Sequence, residues 1–502
     1  MALIGLDIGT TGCKAHVFTE DLKLLVSTSR EYAVDIPHPQ WAEQDAEKVW
    51  VLAKECLRES VAKAHAESSI EAISLSVQGE AVAPVDESGA ALRPMILGMD
   101  TRTDEQNRVL RDTFDPGELF NHTGMPVHTN NTLPKLMWLK EHEPQLWKDA
   151  NKFLLYEDFI INKLVGKPVI SKCLASRTQV YDLGKEEWSD KLLDYLELQK
   201  SRLAEVLPSG TSVGKMKPDL AEELGLKTSP IVAVGGHDQA CGALGVGLTK
   251  AGLAMVSTGT AEVVEVSMDS PHLNDSLFCG NMSVYLHTFP GLYVVMTLNQ
   301  SGGFVLRWFR DTLCQYEQEM AKKQGGDAYD MVLKGAGPGP SPVMMLPHLA
   351  GSGTPTLDTL SKGAIVGLTF ATTKSDLGKA ILDGLTMELR LNLEILNEGG
   401  IAINELRAIG GGAKSALWLQ LKADVTGIPV AAPEVTEAAG MGAAILAGVA
   451  SNVFSDAASA IDSHLKIKKV YTPNPEIKAL YDERYLLYKK LYPAVKEINH
   501  NL

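Results

Sequence analysis

Residues 230–247 read PIVAVGGHDQACGALGVG and combine an apolar run, paired glycines, one carboxylate and a tract of small side chains. The apolar run 231–234, bounded by a proline and the glycines, predicts a buried central strand that ends at Gly235. The small residues of 240–245 predict a closely packed helix. Asp238 lies between strand and helix, where a carboxylate either faces a ligand or caps the helix, and this stretch alone does not separate the two interpretations.

Composition restricts the class of protein. A chain of 502 residues predicts two domains, and a hydrophobic content of 45% is ordinary for a globular protein. The formal net charge of −15 argues against nucleic acid or an anionic membrane as the main partner. The six cysteines are scattered without a C-x-x-C pair, which indicates a reducing compartment and no zinc site. We find no signal-peptide pattern and no apolar run that could span a bilayer, so we expect a cytoplasmic protein.

The N-terminus predicts a hairpin that can hold phosphate. A strand over residues 2–6 ends at Asp7 and is followed by IGTTGCK, residues 8–14, and a second strand over 15–18. The glycines of the turn permit unusual backbone angles, and its two threonines offer hydroxyls beside exposed amides. Such a turn can wrap a phosphate, with Lys14 supplying positive charge. A plain hairpin loop is the alternative.

Residues 253–266, LAMVSTGTAEVVEV, repeat this design, and their Gly-Thr pair aligns with the first one. The chain therefore has two phosphate-type hairpins, one opening each half. A duplicated scaffold with a nucleotide between its halves explains this pattern better than chance does. We place the domain boundary near Gly247, which gives domains of residues 1–246 and 247–502.

Polar residues follow several predicted strands of the first half. They come after the strand 72–76 and after the apolar run 94–97, and a third group precedes a helix predicted to bury Leu136 and Leu139. Each group alone could be a surface loop or a cap. Together they could line one pocket for a polyhydroxylated small molecule; the group includes Gln78, Glu80, Asp100 and Asn130.

The second half has a glycine turn, 410–412, between a strand over 405–409 and a helix over 417–426. Glycines at such a turn let a nucleotide approach the backbone. Residues 437–450 predict another close-packed helix. The stretch from Tyr471 onward predicts a charged, solvated terminal helix.

Two further patterns carry less weight. GTSVG, residues 210–214, matches the nucleophile elbow of hydrolases but lacks the strand before it and the helix after it, so we reject a hydrolase. His237 precedes Asp238, and adjacent residues on a strand point to opposite sides, so His237 is interpreted as a packing or supporting group. The common P-loop motif is missing from the sequence, which does not exclude ATP.

The two Gly-Thr hairpins, the GGGA turn and the GGHDQ stretch together resemble the FGGY family of carbohydrate kinases. NTLPKLMWLKEH, residues 131–142, is similar to one family signature, although Asn130 departs at its opening position, and residues 363–383 fit the other. The resemblance covers nearly the whole chain. It implies an α/β, actin-like ATPase (ribonuclease H-like) fold, with a sugar-binding N-terminal domain, a related nucleotide-binding C-terminal domain and ATP in the cleft between them.

The resemblance also implies roles for single residues. Asp238 would be the general base that takes the proton of the substrate hydroxyl, and the Mg²⁺ site would involve Asp7 and Asp238. The phosphates of ATP would be held by Thr10, Thr11, Lys14, Thr258, Gly259 and Thr260. Positions along the rest of the nucleotide would be Gly302, Gly411, Gly412 and Ala416. The sugar site would include Gln78, Glu80, Asp100, Asn130, Asp238 and Gln239.

Departures from the family patterns leave the substrate open. Xylulokinases have Met-His-Gly and glycerol kinases Arg-Glu-Thr where this chain has GEA, residues 79–81, and Gly98 replaces a common tryptophan. TGMPVH, residues 123–128, looks more like gluconate kinases. The expected substrate is a ketopentose such as xylulose; the alternatives are gluconate, glycerol or erythritol, and a deoxy-ketose. A non-catalytic, actin-like ATP sensor is the alternative from another class, and Asp238 favours the enzyme. The expected partner is thus a small sugar or polyol, and the assembly considered is a homodimer.

Overall fold

The computed structural model describes residues 1–64 and 69–502, whose strands form two large sheets and five two-stranded ones. Strands of the first half, in chain order, are β1 Ala2–Ile8, β2 Gly12–Thr19, β3 Leu24–Glu31, β4 Glu43–Gln44, β5 Ile70–Val77, β6 Ala83–Val85, β7 Met95–Ile96, β8 Lys152–Leu154, β9 Val169–Ser171, β10 Tyr181–Asp182, β11 Glu187–Trp188, β12 Glu205–Leu207, β13 Ser212–Lys215 and β14 Ile231–His237. Those of the second half are β15 Leu253–Thr258, β16 Glu262–Met268, β17 Ser283–Leu286, β18 Tyr293–Asn299, β19 Met344–Leu346, β20 Ala364–Val366, β21 Glu405–Gly410, β22 Val430–Pro433 and β23 Ile467–Tyr471.

Helices surround and connect these sheets. In the first half they are α1 Ala46–Ala64, α2 Asp104–Thr113, α3 Pro116–Thr123, α4 Thr132–His142, α5 Pro144–Asp149, α6 Tyr156–Val165, α7 Lys172–Ala175, α8 Asp190–Leu196, α9 Pro218–Glu223 and α10 Asp238–Gly245. In the second half they are α11 Asp275–Cys279, α12 Gly303–Leu313, α13 Gln315–Gln324, α14 Ala328–Leu333, α15 Lys374–Glu398, α16 Ala416–Thr426, α17 Ala438–Ala450, α18 Ala457–His464, α19 Pro475–Tyr488 and α20 Leu491–His500. Short 3₁₀ turns occupy Lys200–Arg202 and Gly411–Lys414.

The two sheets repeat one topology. The first has the order β13-β14-β5-β1-β2-β3, and the second has the order β17-β18-β16-β15-β21-β22-β23. In each, the hairpin strands pair antiparallel, β1 with β2 and β15 with β16, and the leading strand also pairs parallel with a later strand. This pairing confirms the predicted duplication of the hairpin. Among the described residues, no helix has both the length and the apolar character that a membrane crossing requires.

The helices of small residues pack with their backbones in contact. A Cβ atom added to Gly442 of α17 would lie 1.9 Å from the carbonyl oxygen of Cys241 in α10, and one added to Gly245 would lie 2.0 Å from that of Ala438. A Cβ atom on Gly5 of β1 would lie 1.9 Å from the carbonyl oxygen of Gly440. Helix α17 therefore packs against the first sheet and joins the two halves, which confirms the predicted close packing.

Strand β14 corrects one prediction. It does not end at Gly235 but continues to His237, pairing with β5 through Gly236 and His237 after a register shift. A Cβ atom on Gly235 would lie 1.8 Å from the carbonyl oxygen of Leu75, and one on Gly236 would lie 2.4 Å from Cγ2 of Thr288. The glycines are thus required by close approach to β5 and to Thr288, and not by a turn.

The C-terminal segment corrects a second prediction. It forms two helices, α19 and α20, and three tyrosines of α19 are buried against the core of the second half. Tyr481 donates a 2.8 Å hydrogen bond to Asp383 of α15. The tyrosines are spaced by four and three residues and so share one helix face, which packs on the core instead of facing solvent. By contrast, residues 212–214 of the GTSVG motif belong to strand β13, so the rejected hydrolase motif is not a strand–turn–helix.

Candidate active site

Two cavities contain most of the predicted site residues. The larger, about 800 Å³, is formed mainly by the first half. The smaller, about 400 Å³, is formed by the second half. Of the predicted residues, the larger cavity is lined by Thr10, Gln78, Glu80, Asn130, Asp238 and Gln239. The smaller is lined by Thr258, Gly259, Thr260, Gly411 and Gly412.

Asp238 is the first residue of α10, directly after the central strand β14. Its side chain is 28% exposed and lines the larger cavity, and its Oδ1 accepts a 2.6 Å hydrogen bond from the backbone N–H of Gln239. Burial, reinforced by the nearby negative charge of Asp7, raises the pKa of Asp238 to about 7. A carboxylate with such a pKa can both accept and release a proton near neutral pH.

Strand alternation predicted that His237 points away from Asp238. This prediction is wrong, because the two side chains are in contact. Nε2 of His237 lies 3.2 Å from Oδ1 of Asp238, and its Nδ1 lies 3.2 Å from the hydroxyl of Tyr285. Alternation fails here because the strand ends at His237 and the helix begins at the next residue. The interpretation of His237 as a supporting group agrees with these contacts, and burial keeps its pKa well below the usual value.

Asp7 lies on β1, and its Oδ1 accepts a 2.8 Å hydrogen bond from Ser76 of β5. Burial raises the pKa of Asp7, and its charge in turn raises that of Asp238. Asp7 does not line either cavity, but it is near enough for its charge to act on Asp238, and two such carboxylates suit a divalent cation. Within residues 1–64 and 69–502, no cluster of three or more His, Cys, Asp or Glu side chains forms a metal cage. A divalent cation at Asp7 and Asp238 would thus take few of its ligands from the described side chains.

Asp100 does not line the larger cavity. It is fully buried, and its carboxylate pairs with the guanidinium of Arg102 and accepts a 2.6 Å hydrogen bond from the N–H of Ala42. Its contacts place it behind the cavity wall. Gln78, by contrast, donates to the carbonyl oxygen of Gly9 and faces the cavity from the end of β5.

Glu80 has two cationic neighbours that the sequence analysis missed. The fully buried guanidinium of Arg177 pairs with its carboxylate, and Nζ of Lys135 donates a 3.1 Å hydrogen bond to its carbonyl oxygen. Burial lowers the pKa of Lys135 to about 7. Glu80 also has a φ of 59°, which is uncommon for a residue other than glycine. The sequence signal for these contacts is Lys135, a cation within a helical pattern that is otherwise predicted to be buried.

The first phosphate hairpin is only partly arranged as predicted. Thr10 lines the larger cavity, whereas Thr11 is exposed and Nζ of Lys14 lies 2.9 Å from Oε2 of Glu437. The Lys14 ammonium therefore already has an anionic partner, in the loop before α17.

The second hairpin is held by a buried triad that the sequence analysis also missed. Nζ of Lys422 donates to Oγ1 of Thr258 at 2.7 Å and to Oε2 of Glu262 at 2.5 Å. The Thr258 hydroxyl donates to the same carboxylate oxygen at 2.7 Å. All three residues are at least 98% buried. A lone lysine in the apolar helix LWLQLKADV was its only sequence signal.

The predicted glycines differ in their surroundings. A Cβ atom added to Gly259 would meet no atom of the described residues within 4 Å, whereas one on Gly412 would lie 2.8 Å from Cβ of Thr258. Two other predicted nucleotide positions are not part of the lining. Gly302 donates from its N–H to the carbonyl oxygen of Thr260, and Ala416 begins α16.

Comparison with known proteins gives a consistent result. Residues 2–245 match the N-terminal domain model of the FGGY family of carbohydrate kinases, and residues 254–451 match its C-terminal domain model. The xylulose kinase of Staphylococcus xylosus is 30% identical over 98% of this chain and 99% of its own length. The xyloylose kinase of Brucella ovis, 29% identical, superposes with a TM-score of 0.88 over 99% of this chain and all of the other. The gluconate kinase of Lactobacillus acidophilus, 24% identical, shares the fold with a TM-score of 0.89 over 98% of both chains.

Proposed function

Because the chain belongs to the FGGY family of carbohydrate kinases and is an ATP-dependent sugar kinase, we propose that it phosphorylates a ketopentose such as xylulose, with Asp238 as general base. The observation that carries this proposal is the position of Asp238. Its carboxylate, with a pKa of about 7, lies in the wall of a polar cavity that Val263, a residue of the second phosphate hairpin, also lines.

The chemistry assigns one role to each group. Oδ1 of Asp238 is occupied by the Gln239 N–H and faces His237, so Oδ2 is the oxygen left to accept the proton of the sugar hydroxyl. As that proton leaves, the hydroxyl oxygen bonds to the γ-phosphorus of ATP and the bond to the β-phosphate oxygen breaks, releasing ADP. When bound, Mg²⁺ neutralises phosphate charge, and we assign its protein contact to Asp7. Residues 1–246 thus hold the sugar and residues 247–502 most of the nucleotide.

The charges around the larger cavity support a neutral substrate over gluconate. Three carboxylates line it, those of Glu80, Asp104 and Asp238. Of the two lining arginines, Arg177 pairs with Glu80 and balances its charge, which leaves Asp104 and Asp238 against Arg111. An aldonate would bring its own carboxylate into this acidic surrounding, whereas a ketopentose brings only hydroxyl and carbonyl groups.

The test is a coupled assay of ADP release against pentuloses, polyols, hexonates and deoxy-sugars. We expect the highest kcat/KM with a ketopentose, and gluconate lower by at least about 10-fold because of charge repulsion. A hexonate or a polyol as the best substrate would contradict the assigned sugar. Sugar-independent ATP binding without ADP release for any compound would instead support the non-catalytic sensor.

A pH profile tests the assigned base. Because Asp238 must be deprotonated to accept the sugar proton, kcat/KM for the sugar should rise with pH and level off above a midpoint of about 7. The measurement is the ADP-release rate between pH 5 and 9 at subsaturating sugar and saturating ATP. A flat profile down to about pH 5 would argue that a carboxylate with an ordinary pKa, or none, is the base.

Gly259→Val tests the second hairpin. Because the space beside Gly259 is open in the protein, the added side chain would occupy the space proposed for phosphate without clashing with the fold. We expect KM for ATP to rise at least about 10-fold, KM for the sugar to change little, and the melting temperature to stay near that of the wild type.

Gly412→Ala is the matched control for that prediction. Its Cβ atom would collide with Thr258 and lie 3.2 Å from Trp418, so it should lower the melting temperature even without nucleotide. Equal effects of Gly259→Val on the two KM values would contradict a phosphate loop.

A further inference from the structure

A chain of buried polar groups leads away from Asp238 into the other half of the molecule. Oδ1 of Asp238 lies 3.2 Å from Nε2 of His237, and Nδ1 of the same ring lies 3.2 Å from the hydroxyl of Tyr285. That hydroxyl is in turn hydrogen-bonded to Oε1 of Glu265. His237 ends β14 of the first sheet, whereas Tyr285 and Glu265 lie on β17 and β16 of the second. The chain therefore connects the proposed base to the opposite sheet.

Glu265 is a carboxyl group in an unusual position. Both Glu265 and Tyr285 are fully buried, and Oε2 of Glu265 has no hydrogen-bond partner among the described residues. An ionised carboxylate with a free buried oxygen is costly, whereas a protonated one is neutral and can donate. Burial raises the pKa of Glu265 to about 8, which agrees with a protonated group at neutral pH.

The proton on Glu265 decides the direction of every bond in the chain. A hydroxyl has one proton, so Tyr285 can donate either to Glu265 or to His237, but not to both. If the Glu265 carboxyl donates to the Tyr285 oxygen, the Tyr285 hydroxyl donates to Nδ1 of His237. The proton of the neutral imidazole is then on Nε2, the nitrogen that faces Asp238. If every bond ran in the opposite direction, Nε2 would turn a lone pair toward the Asp238 carboxylate, and the two would repel each other.

We propose that Tyr285 and Glu265 are positioning residues that act through His237 on Asp238, by fixing the imidazole tautomer that donates Nε2–H to Oδ1. This inference rests on the proposed role of Asp238. The donated hydrogen bond holds Oδ1 and leaves Oδ2 turned to the sugar hydroxyl. Because the chain spans both sheets, the base is oriented only while the two halves are in their observed arrangement.

A purely structural role for Tyr285 makes a different prediction. Its ring packs in a small cluster with Cys173, Ala240 and Val294, and the guanidinium of Arg177 lies 4.5 Å from the ring centre. Phenylalanine would keep the packing and lose only the hydroxyl, so Tyr285→Phe separates the two roles. Tyr293→Phe is the matched control, because the Tyr293 hydroxyl lies on the same sheet and contacts Glu186, away from the cavity.

The kinetic test compares four variants with the wild type, each with its melting temperature. We expect Tyr285→Phe and Glu265→Leu to lower kcat about 10- to 100-fold, with KM for ATP within about twofold, as is typical when a residue that orients a reacting group is lost. Glu265→Gln should keep kcat within about threefold of the wild type, because an amide N–H can donate to Tyr285 as the protonated carboxyl does. Tyr293→Phe should match the wild type.

Two outcomes would overturn the inference while leaving the kinase assignment intact. One is a Tyr285→Phe enzyme with wild-type kcat. The other is a Glu265→Gln enzyme as slow as Glu265→Leu, which would mean that Glu265 must be ionised. If Asp238→Ala loses activity and Tyr285→Phe does not, Asp238 is still the base, but Tyr285 does not position it.

A readout independent of turnover is the ¹⁵N spectrum of histidine-labelled protein, with His237→Gln assigning the signal. The wild type should show an Nε2–H imidazole at residue 237, and Tyr285→Phe should lose this preference. An Nδ1–H imidazole in the wild type would contradict the proposal, whatever the kinetics.

Discussion

Asp238→Ala is expected to lower sugar-dependent ADP release at least about 100-fold, the contribution typical of a general base, while ATP still binds. The alternative role, a helix cap, is weakened by the structure, because Asp238 is the first helical residue and His237 occupies the cap position. The measurement is kcat in the coupled assay, together with ATP affinity by calorimetry. Because the base acts on the sugar hydroxyl and the second hairpin holds the nucleotide, the loss should be in kcat.

The matched control is Asp275→Ala. Asp275 is also the first residue of a helix, α11, but it is exposed. If loss of a carboxylate at a helix start were the cause, both variants would lose stability and neither would lose turnover selectively. Near wild-type kcat in Asp238→Ala would assign Asp238 to the helix start alone.

The repeated parts of the fold were predictable because they depend on local sequence. Each phosphate hairpin needs a strand, glycines and a returning strand close together in the sequence, and this pattern is visible in residues 2–18 and again in 253–266. The predicted end of β14 was wrong, because contacts with distant residues determine where that strand ends. Gly235 and Gly236 suggested a turn, but β5 and Thr288 require glycine there for close approach.

The placement of Asp238 in a cavity wall could be predicted from the sequence, whereas the residues around it could not. Asp238 is marked by its position after a strand and by the family resemblance. Arg177 is 97 residues from Glu80, and Tyr285 is 48 residues from His237, so these pairs exist only once the chain has folded. Asp100 had the same strand-end pattern as Glu80, yet Arg102, two residues later, neutralises it within the wall. A polar residue after a strand therefore predicts a functional edge of the sheet, but not which side chains face the ligand.

The second large effect is expected for Lys422→Met. The substitution removes the cation of the buried triad and leaves the Glu262 carboxylate without its charged partner. Oε1 of Glu262 already lacks a hydrogen bond among the described residues, so no other cation or donor compensates at that oxygen. Breaking a buried ion pair from one side costs about 3–5 kcal/mol. For a domain of the size of residues 247–502, that loss corresponds to a fall of about 10 °C in melting temperature. The measurement is calorimetry without nucleotide.

The double variant Lys422→Met/Glu262→Gln separates lost charge balance from lost packing. With the unpaired charge also removed, most of the melting temperature should return, because replacing both partners of a buried pair is far less costly than removing one. Lys48→Met is the surface control: its ammonium lies 3.4 Å from Asp45 and is 78% exposed, so its loss should cost at most about 1 kcal/mol. KM for ATP should be raised in Lys422→Met and in the double variant alike, since in both the Thr258 hydroxyl has lost the ammonium that holds it in the second hairpin. Full recovery of both stability and KM for ATP would show that the triad balances charge without shaping the phosphate site.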